Sequence, residues 1–143
     1  MTTQPPLPAG LAESVLLQMA EAVIYSNRQG IIEIWNPAAA AMFGHSADQA
    51  LGQSLDLIIP ERLRAAHWRG FEAAMQSGRT RLKGQATTTR ALHRSGETRY
   101  VDMSFALVCD EHGQAIGSVA VARDATERIL QAKAANSDRR PDA

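Results

Sequence analysis

Residues 31–60, IIEIWNPAAAAMFGHSADQALGQSLDLIIP, change local structure repeatedly, and each change is marked by a residue with a physical reason to be there. Ile31 to Trp35 is β-rich and reads as a strand. Asn36-Pro37 stops it and opens a helix, because Asn is a good N-cap and Pro suits the first helical position, where an N–H would have no partner. PAAAAMF is that helix, and Gly44 is a natural residue just past its end. Ser46 caps a second short helix, SADQAL, which Gly52 ends. SLDLII adds another turn or two before Pro60. A strand thus feeds directly into a string of short, individually capped helices.

Working outward, Ala22 to Ser26 is a second β-rich run, joined to the first through Asn27-Arg28-Gln29-Gly30, a turn whose Asn and Gly supply positive φ. Before it, Leu11, Val15, Leu16 and Met19 fall on one face of a helix over residues 11–20. Residues 1–10, with three prolines, read as a flexible lead. After Pro60 the spacing predicts a helix from Glu61 to Gln76, stopped at Ser77-Gly78. Three extended runs follow, Arg79 to Leu92, Glu97 to Cys109 and Gln114 to Arg123, joined by the glycine-bearing turns HRSGE and DEHGQ. Asp124 caps a last helix over 124–136, and the polar tail 137–143 reads as disordered. The order β-β-α-α-α-α-β-β-β predicts an α+β domain with a core over 21–123. It has a five-stranded antiparallel sheet, a belt of short helices on one face, and a cavity between sheet and belt.

Composition narrows the function. The 143 residues suffice for one domain and one core. Fifteen basic and fifteen acidic side chains cancel, so no global field attracts nucleic acid or anionic membrane. No signal peptide and no transmembrane run is visible, and the default compartment is cytoplasmic. The single cysteine, Cys109, excludes an internal disulfide or a cysteine-built zinc site, and its place at a strand end reads as a buried or semi-buried small hydrophobe. His45, His93 and His112 lie in turns or at helix starts, read as exposed, and are not spaced as a metal site. There is no nucleophile–base pair and no phosphate-binding glycine loop, so the chain is not expected to be an enzyme.

The chemistry concentrates in residues 60–71, PERLRAAHWRGF. Leu63, His67, Phe71 and Ala74 recur every three or four residues and share one helix face. Set against the sheet, that stripe points an imidazole into the cavity. His67 is then either a core histidine bonded to a backbone carbonyl or a ligand for something bound there. Trp68, about 100° around the helix, is expected on the domain's flank or at a dimer contact.

The strings IIEIWNPAAAAMFGHSADQALGQSLDLIIP, RSGE and GSVAVARDATER, in this order, resemble a PAS domain over about residues 11–130. The resemblance implies a sensory or protein-interaction module that dimerises through its flanking helices, with RDATER as the signal exit. Flavin-cysteinyl photochemistry is not expected, because Ala65-Ala66-His67 stands where that class carries its reactive cysteine. The haem-binding PAS sensors, oxygen-sensor kinases and haem-regulated phosphodiesterases, fit better. Their proximal histidine lies seven residues past the proline of IIP, the position of His67. From His67 to Gly96 the oxygen-sensor pattern lies on this chain without a gap, including Gly70, Gly78 and Gly84.

This resemblance implies haem b, with His67 as axial iron ligand. It also implies an apolar distal wall of Leu82, Met103 and Phe105, and a diatomic gas (O2, CO or NO) or a redox change as the stimulus. On the distal side the chain departs from the pattern: Thr87 stands in place of the oxygen sensors' arginine and Gln85 in place of the phosphodiesterases' methionine. Met103 then either packs as wall or ligates the iron opposite His67. Thr87 predicts hydrogen bonding to oxygen weaker by roughly 1.5–3 kcal/mol than a charged donor gives. Arg64 and Arg81 are candidate partners for haem propionates. The expected state is a homodimer acting on a separate output protein, or a piece of a longer sensor. The other reading is a haem-free interaction module, or one holding another small ligand.

Overall fold

In the computed structural model, which describes residues 5–80 and 84–138, the elements follow the expected order. They are α1 (Leu11–Gln18), β1 (Ala22–Asn27), β2 (Ile32–Trp35), α2 (Pro37–Phe43), α3 (Ala47–Ala50), a 3₁₀ turn (Leu55–Ile58), α4 (Glu61–Ser77), β3 (Thr87–Leu92), β4 (Thr98–Cys109), β5 (Ala115–Asp124) and α5 (Thr126–Asp138). The five strands form one sheet in the order β2-β1-β5-β4-β3, each neighbour antiparallel.

The capping logic of residues 36–54 is realised in detail. The Asn36 side chain accepts from Ala39 N at the start of α2, and Gly44 ends that helix at φ 83°. Ser46 and Gln49 form a reciprocal capping box on α3, and Ser54 caps the 3₁₀ turn. Asn36 does more than cap. Its Oδ1 also accepts from Val23 N, and its Nδ2 donates to the carbonyls of Leu16 and Glu21. One buried amide therefore ties the end of α1, the start of β1 and the start of α2 together.

Alternation along the strands puts Ala22, Ile24 and Ser26 of β1, Ser118, Ala120 and Ala122 of β5, and Val101, Met103 and Phe105 of β4 on the inner face under the helices. The core gathers there with Trp35, Ala39, Phe43, Leu55 and Ile58. Alanine and serine are poor strand formers. Five of them side by side on β1 and β5 leave the middle of the inner face shallow, and space remains between it and the belt. Gly117 serves a tighter contact at the end of the same strand: a Cβ there would lie 2.2 Å from the Ser26 carbonyl oxygen.

Several boundaries differ from expectation. The run expected from Arg79 to Leu92 begins as a strand only at Thr87. Gly84 turns the chain at φ 82°, and β3 is an edge strand whose pairing with β4 starts at Thr87↔Met103. The last helix starts at Thr126, while Asp124 is still in β5 and accepts from Thr126 N through its side chain. Ser137 and Asp138 belong to α5 rather than to a tail, and the remaining tail residues lie outside the described residues, as do 1–4 of the lead. Cys109 is exposed, because a bulge between Val108 and Cys109 breaks the alternation that would have turned it inward. His45 and His93 are half-buried rather than exposed, the His93 ring packing against Gly44.

Candidate functional site

α4 crosses the inner face with Leu63, His67, Phe71 and Ala74 half-buried beneath it and Met75 buried. Two chambers lie between this stripe and the sheet. The larger, about 450 Å³, is walled by Ile24, Ile58, Leu63, Met103 and Ala120, with Thr87 and Thr89 at one side. The smaller, about 230 Å³, is walled by Phe71, Ala74, Met75 and Leu107. Leu55, Ala66, His67, Phe105 and Ser118 line both. His67 therefore stands at the partition between two largely apolar spaces, and the larger is of ordinary small-ligand size.

The imidazole sits in an unusual electrostatic position. Burial pushes its pKa below the usual histidine value, with the Asp56 charge acting weakly in the opposite direction, so the neutral ring is favoured. Its Nδ1 is buried and has no hydrogen-bond partner. Buried polar atoms normally find one. A core histidine bonded to a carbonyl through that nitrogen is therefore not what the structure contains. The ring is held instead by aromatic contacts, edge-on to Trp68 at 4.7 Å and tilted against Phe71 at 6.0 Å.

Trp68 packs within the domain. Its indole N–H donates to Asp56 Oδ1 at 2.8 Å, and its ring packs edge-on to Phe71 at 5.2 Å. The ring also lies over Gly30, where a Cβ would come within 2.2 Å of it; Gly30 has φ 78° as well, so the turn needs glycine twice over. Arg64 is occupied too. Its Nε and Nη2 donate to the carbonyls of Ile59 and Asp56 at 3.0 and 3.3 Å, which ties α4 to the 3₁₀ turn before it.

The structure thus brings His67, Leu63, Phe71, Met103 and Phe105 to the chambers, with Thr87 at the side. Gln85 is corrected: it is exposed and lines neither chamber, because it precedes the point where β3 joins the sheet. Arg81 and Leu82 lie outside the described residues. The sequence reading missed Ser118, whose hydroxyl sits 3.3 Å from that of Ser26 and faces both chambers. Period-two counting along AIGSVAVARD from Ala120 would have found it. It also missed Arg90 at the edge of the larger chamber. The Arg90 guanidinium, however, lies 5.7 Å from the Tyr100 ring centroid on the opposite face of the sheet.

A haem group is tested by this donor set. A neutral imidazole with an orphaned buried nitrogen, between apolar chambers backed by Met103 and Phe105, has the chemistry of an axial-ligand site. Among the described residues, the group of three or more His, Cys, Asp or Glu that a protein-only metal site would need is absent.

An antiparallel sheet, a helical belt and largely apolar chambers between them with one convergent imidazole are the architecture of a sensory class of domain. The family described as "PAS fold" matches residues 16–130, and the chain belongs to it as a sensory PAS domain. The "Oxygen sensor protein DosP" of Escherichia coli (strain K12) is 24% identical over 122 residues, 85% of this chain and 15% of that one. The "Sensor protein FixL" of Bradyrhizobium diazoefficiens is 35% identical over 54 residues, 38% of this chain and 11% of that one. The chain thus spans a small part of the curated relatives it matches. Among solved structures, the PAS domain of a Colwellia psychrerythraea protein superposes with TM-score 0.72 at 20% identity, covering 82% of this chain and 96% of that one. Among the described residues no helix is long and apolar enough to cross a membrane.

Proposed function

We propose that this PAS domain holds haem b between α4 and the sheet, with His67 as axial ligand, and responds to a diatomic gas (O2, CO or NO) or to the redox state of the iron. The observation that carries this reading is the half-buried His67 ring, orphaned at Nδ1, lining two largely apolar chambers, where burial favours its neutral form. Haem would supply the gas-binding and redox chemistry. The chain's own part is to hold the ring neutral, to exclude water with Leu55, Ile58, Leu63, Phe71 and Phe105, and to offer Met103 as wall or second ligand. Thr87, uncharged where the oxygen sensors carry arginine, tilts the pocket toward carbon monoxide or redox sensing over oxygen. The signal leaves through α5 to a partner, the domain acting as a cytoplasmic homodimer that pairs through its flanking helices. Their apolar side chains Leu11, Val15 and Leu130 are about half exposed.

Titration with ferric haem tests this. The wild-type protein is expected to develop a Soret band that His67→Ala abolishes or shifts, and Met103→Leu to alter the reduced spectrum only if Met103 coordinates. An unchanged band in His67→Ala overturns the ligation. A wild-type protein that stays colourless overturns the haem reading. It favours the second one, a haem-free module with a small apolar ligand, which the division of the cavity into two modest chambers supports.

A further inference from the structure

α4 stands over a hollow, so the core beneath it can do little to set its roll. Leu63, Ala66, His67 and Phe71, the side chains it turns toward the sheet, all border the chambers. Its buried side chain, Met75, lies near its far end, and no side chain caps its start at Pro60. A ligating imidazole is usually oriented by a hydrogen bond from its second nitrogen. That device is missing too, since Nδ1 of His67 has no partner among the described residues.

The hold comes from the side and converges on one residue, Asp56 of the 3₁₀ turn. Its Oδ1 accepts the Trp68 indole N–H at 2.8 Å, and its backbone carbonyl accepts from Arg64 Nη2 at 3.3 Å. Arg64 Nε also stands 3.8 Å from the same carboxylate oxygen. Arg64 and Trp68 are four residues apart and share a face of α4, while His67 is turned about 100° from Trp68. Asp56 is itself pinned. Its N–H donates to Ser54 Oγ at 3.1 Å, and its carbonyl accepts from Ile59 N at 3.1 Å as well. A carboxylate acceptor makes the indole bond a charge-assisted one, the stronger kind. Trp68 has two further stops, Gly30 against its ring and Phe71 edge-on to it, and it meets the His67 ring edge-on in turn.

We propose that Asp56 is the positioning residue of the site: through Trp68 and Arg64 it fixes the roll of α4 and so aims the His67 imidazole at the chambers. That His67 meets iron there rests on the sensor reading above; the aim of the ring does not.

Proton NMR of the full chain without haem tests the aim of the ring. Asp56→Ala is expected to shift the Trp68 indole N–H resonance and to weaken the ring-to-ring NOEs between His67 and Phe71. Asp56→Asn keeps an oxygen that can accept from the indole and should stay close to wild type, a rescue that a general loss of stability would not give. NOEs unchanged in Asp56→Ala, or weakened equally in Asp56→Asn, overturn the assignment. If Asp56→Ala fails to fold, Trp68→Phe takes its place, because it keeps an aromatic ring and loses the N–H. Unchanged His67–Phe71 NOEs in that variant overturn the assignment likewise. With ferric haem bound, Asp56→Ala should lose haem to an acceptor protein roughly 10–100-fold more readily than wild type, and Asp56→Asn should not. Equal retention in all three overturns the positioning role. A wild-type protein that stays colourless sinks the haem reading alone and leaves the NMR outcomes intact.

Discussion

His67 combines two states that proteins usually avoid together: a titratable ring under a helix and a buried nitrogen with no partner. The first has a pH consequence. The folded pKa lies below the unfolded value of about 6.5, so just below that pH the unfolded chain binds more protons than the folded one. The stability contribution is therefore present above about pH 6.5 and is lost as pH falls, until the lowered folded value is passed. Urea unfolding of His67→Leu should show a shallower acid limb than wild type. At pH 7 it should show a gain of about 1 kcal/mol from removing an unsatisfied buried atom. A loss at pH 7 would mean that Nδ1 has found a partner. The stripe holding His67 was legible because helical periodicity fixes which residues share a face. The fate of Trp68 was not, because its partners, Asp56 and Gly30, come from other elements that spacing within α4 does not report. Cys109 was misplaced for a related reason: a bulge leaves no mark in the alternation it interrupts.

Elements show the same division between local and non-local causes. The starts and stops of α2, α3 and the 3₁₀ turn could be read because caps are chemistry between residues two or three apart. The start of β3 could not, because pairing with β4, not composition, decides where an edge strand begins. Asn36 and Ser46 separate the two cases. The Ser46 capping box is exposed and serves one short helix. Asn36 is 2% exposed and joins three elements. Ser46→Ala is accordingly expected to cost about 1 kcal/mol. Asn36→Ala should cost about 3 kcal/mol or more, since it strands the Val23 N–H and two carbonyls as well as the capped Ala39 N–H. Chemical denaturation of the two variants side by side checks this, and equal losses would mean that the three-way tie has no energetic weight.

At the scale of the whole molecule the question is why this sheet keeps a hollow. Interiors pack to near-crystal density, and a cavity sacrifices contacts that larger side chains would make. Here the sacrifice is written into β1 and β5 as Ala22, Ala120, Ala122, Ser26 and Ser118, positions that a strand selected for stability alone would fill with Val or Ile. Order and composition made the α+β class and the site's helix readable in the sequence. They could not give the depth of the space, which depends on how far α4 stands off these small residues. Ala120→Leu tests that depth. Ala120 is 7% exposed and lines the larger chamber. If the hollow is a functional reserve, the added side chain fills it, unfolding free energy rises by roughly 0.5–2 kcal/mol, and uptake of ferric haem or of an apolar fluorescent probe falls away. If the belt has already closed on the sheet, the same substitution overpacks it and costs about 1–3 kcal/mol. Thermal melts with the binding titration run on the same samples separate the two outcomes, and a stabilised variant that still takes up its ligand would place the binding site elsewhere.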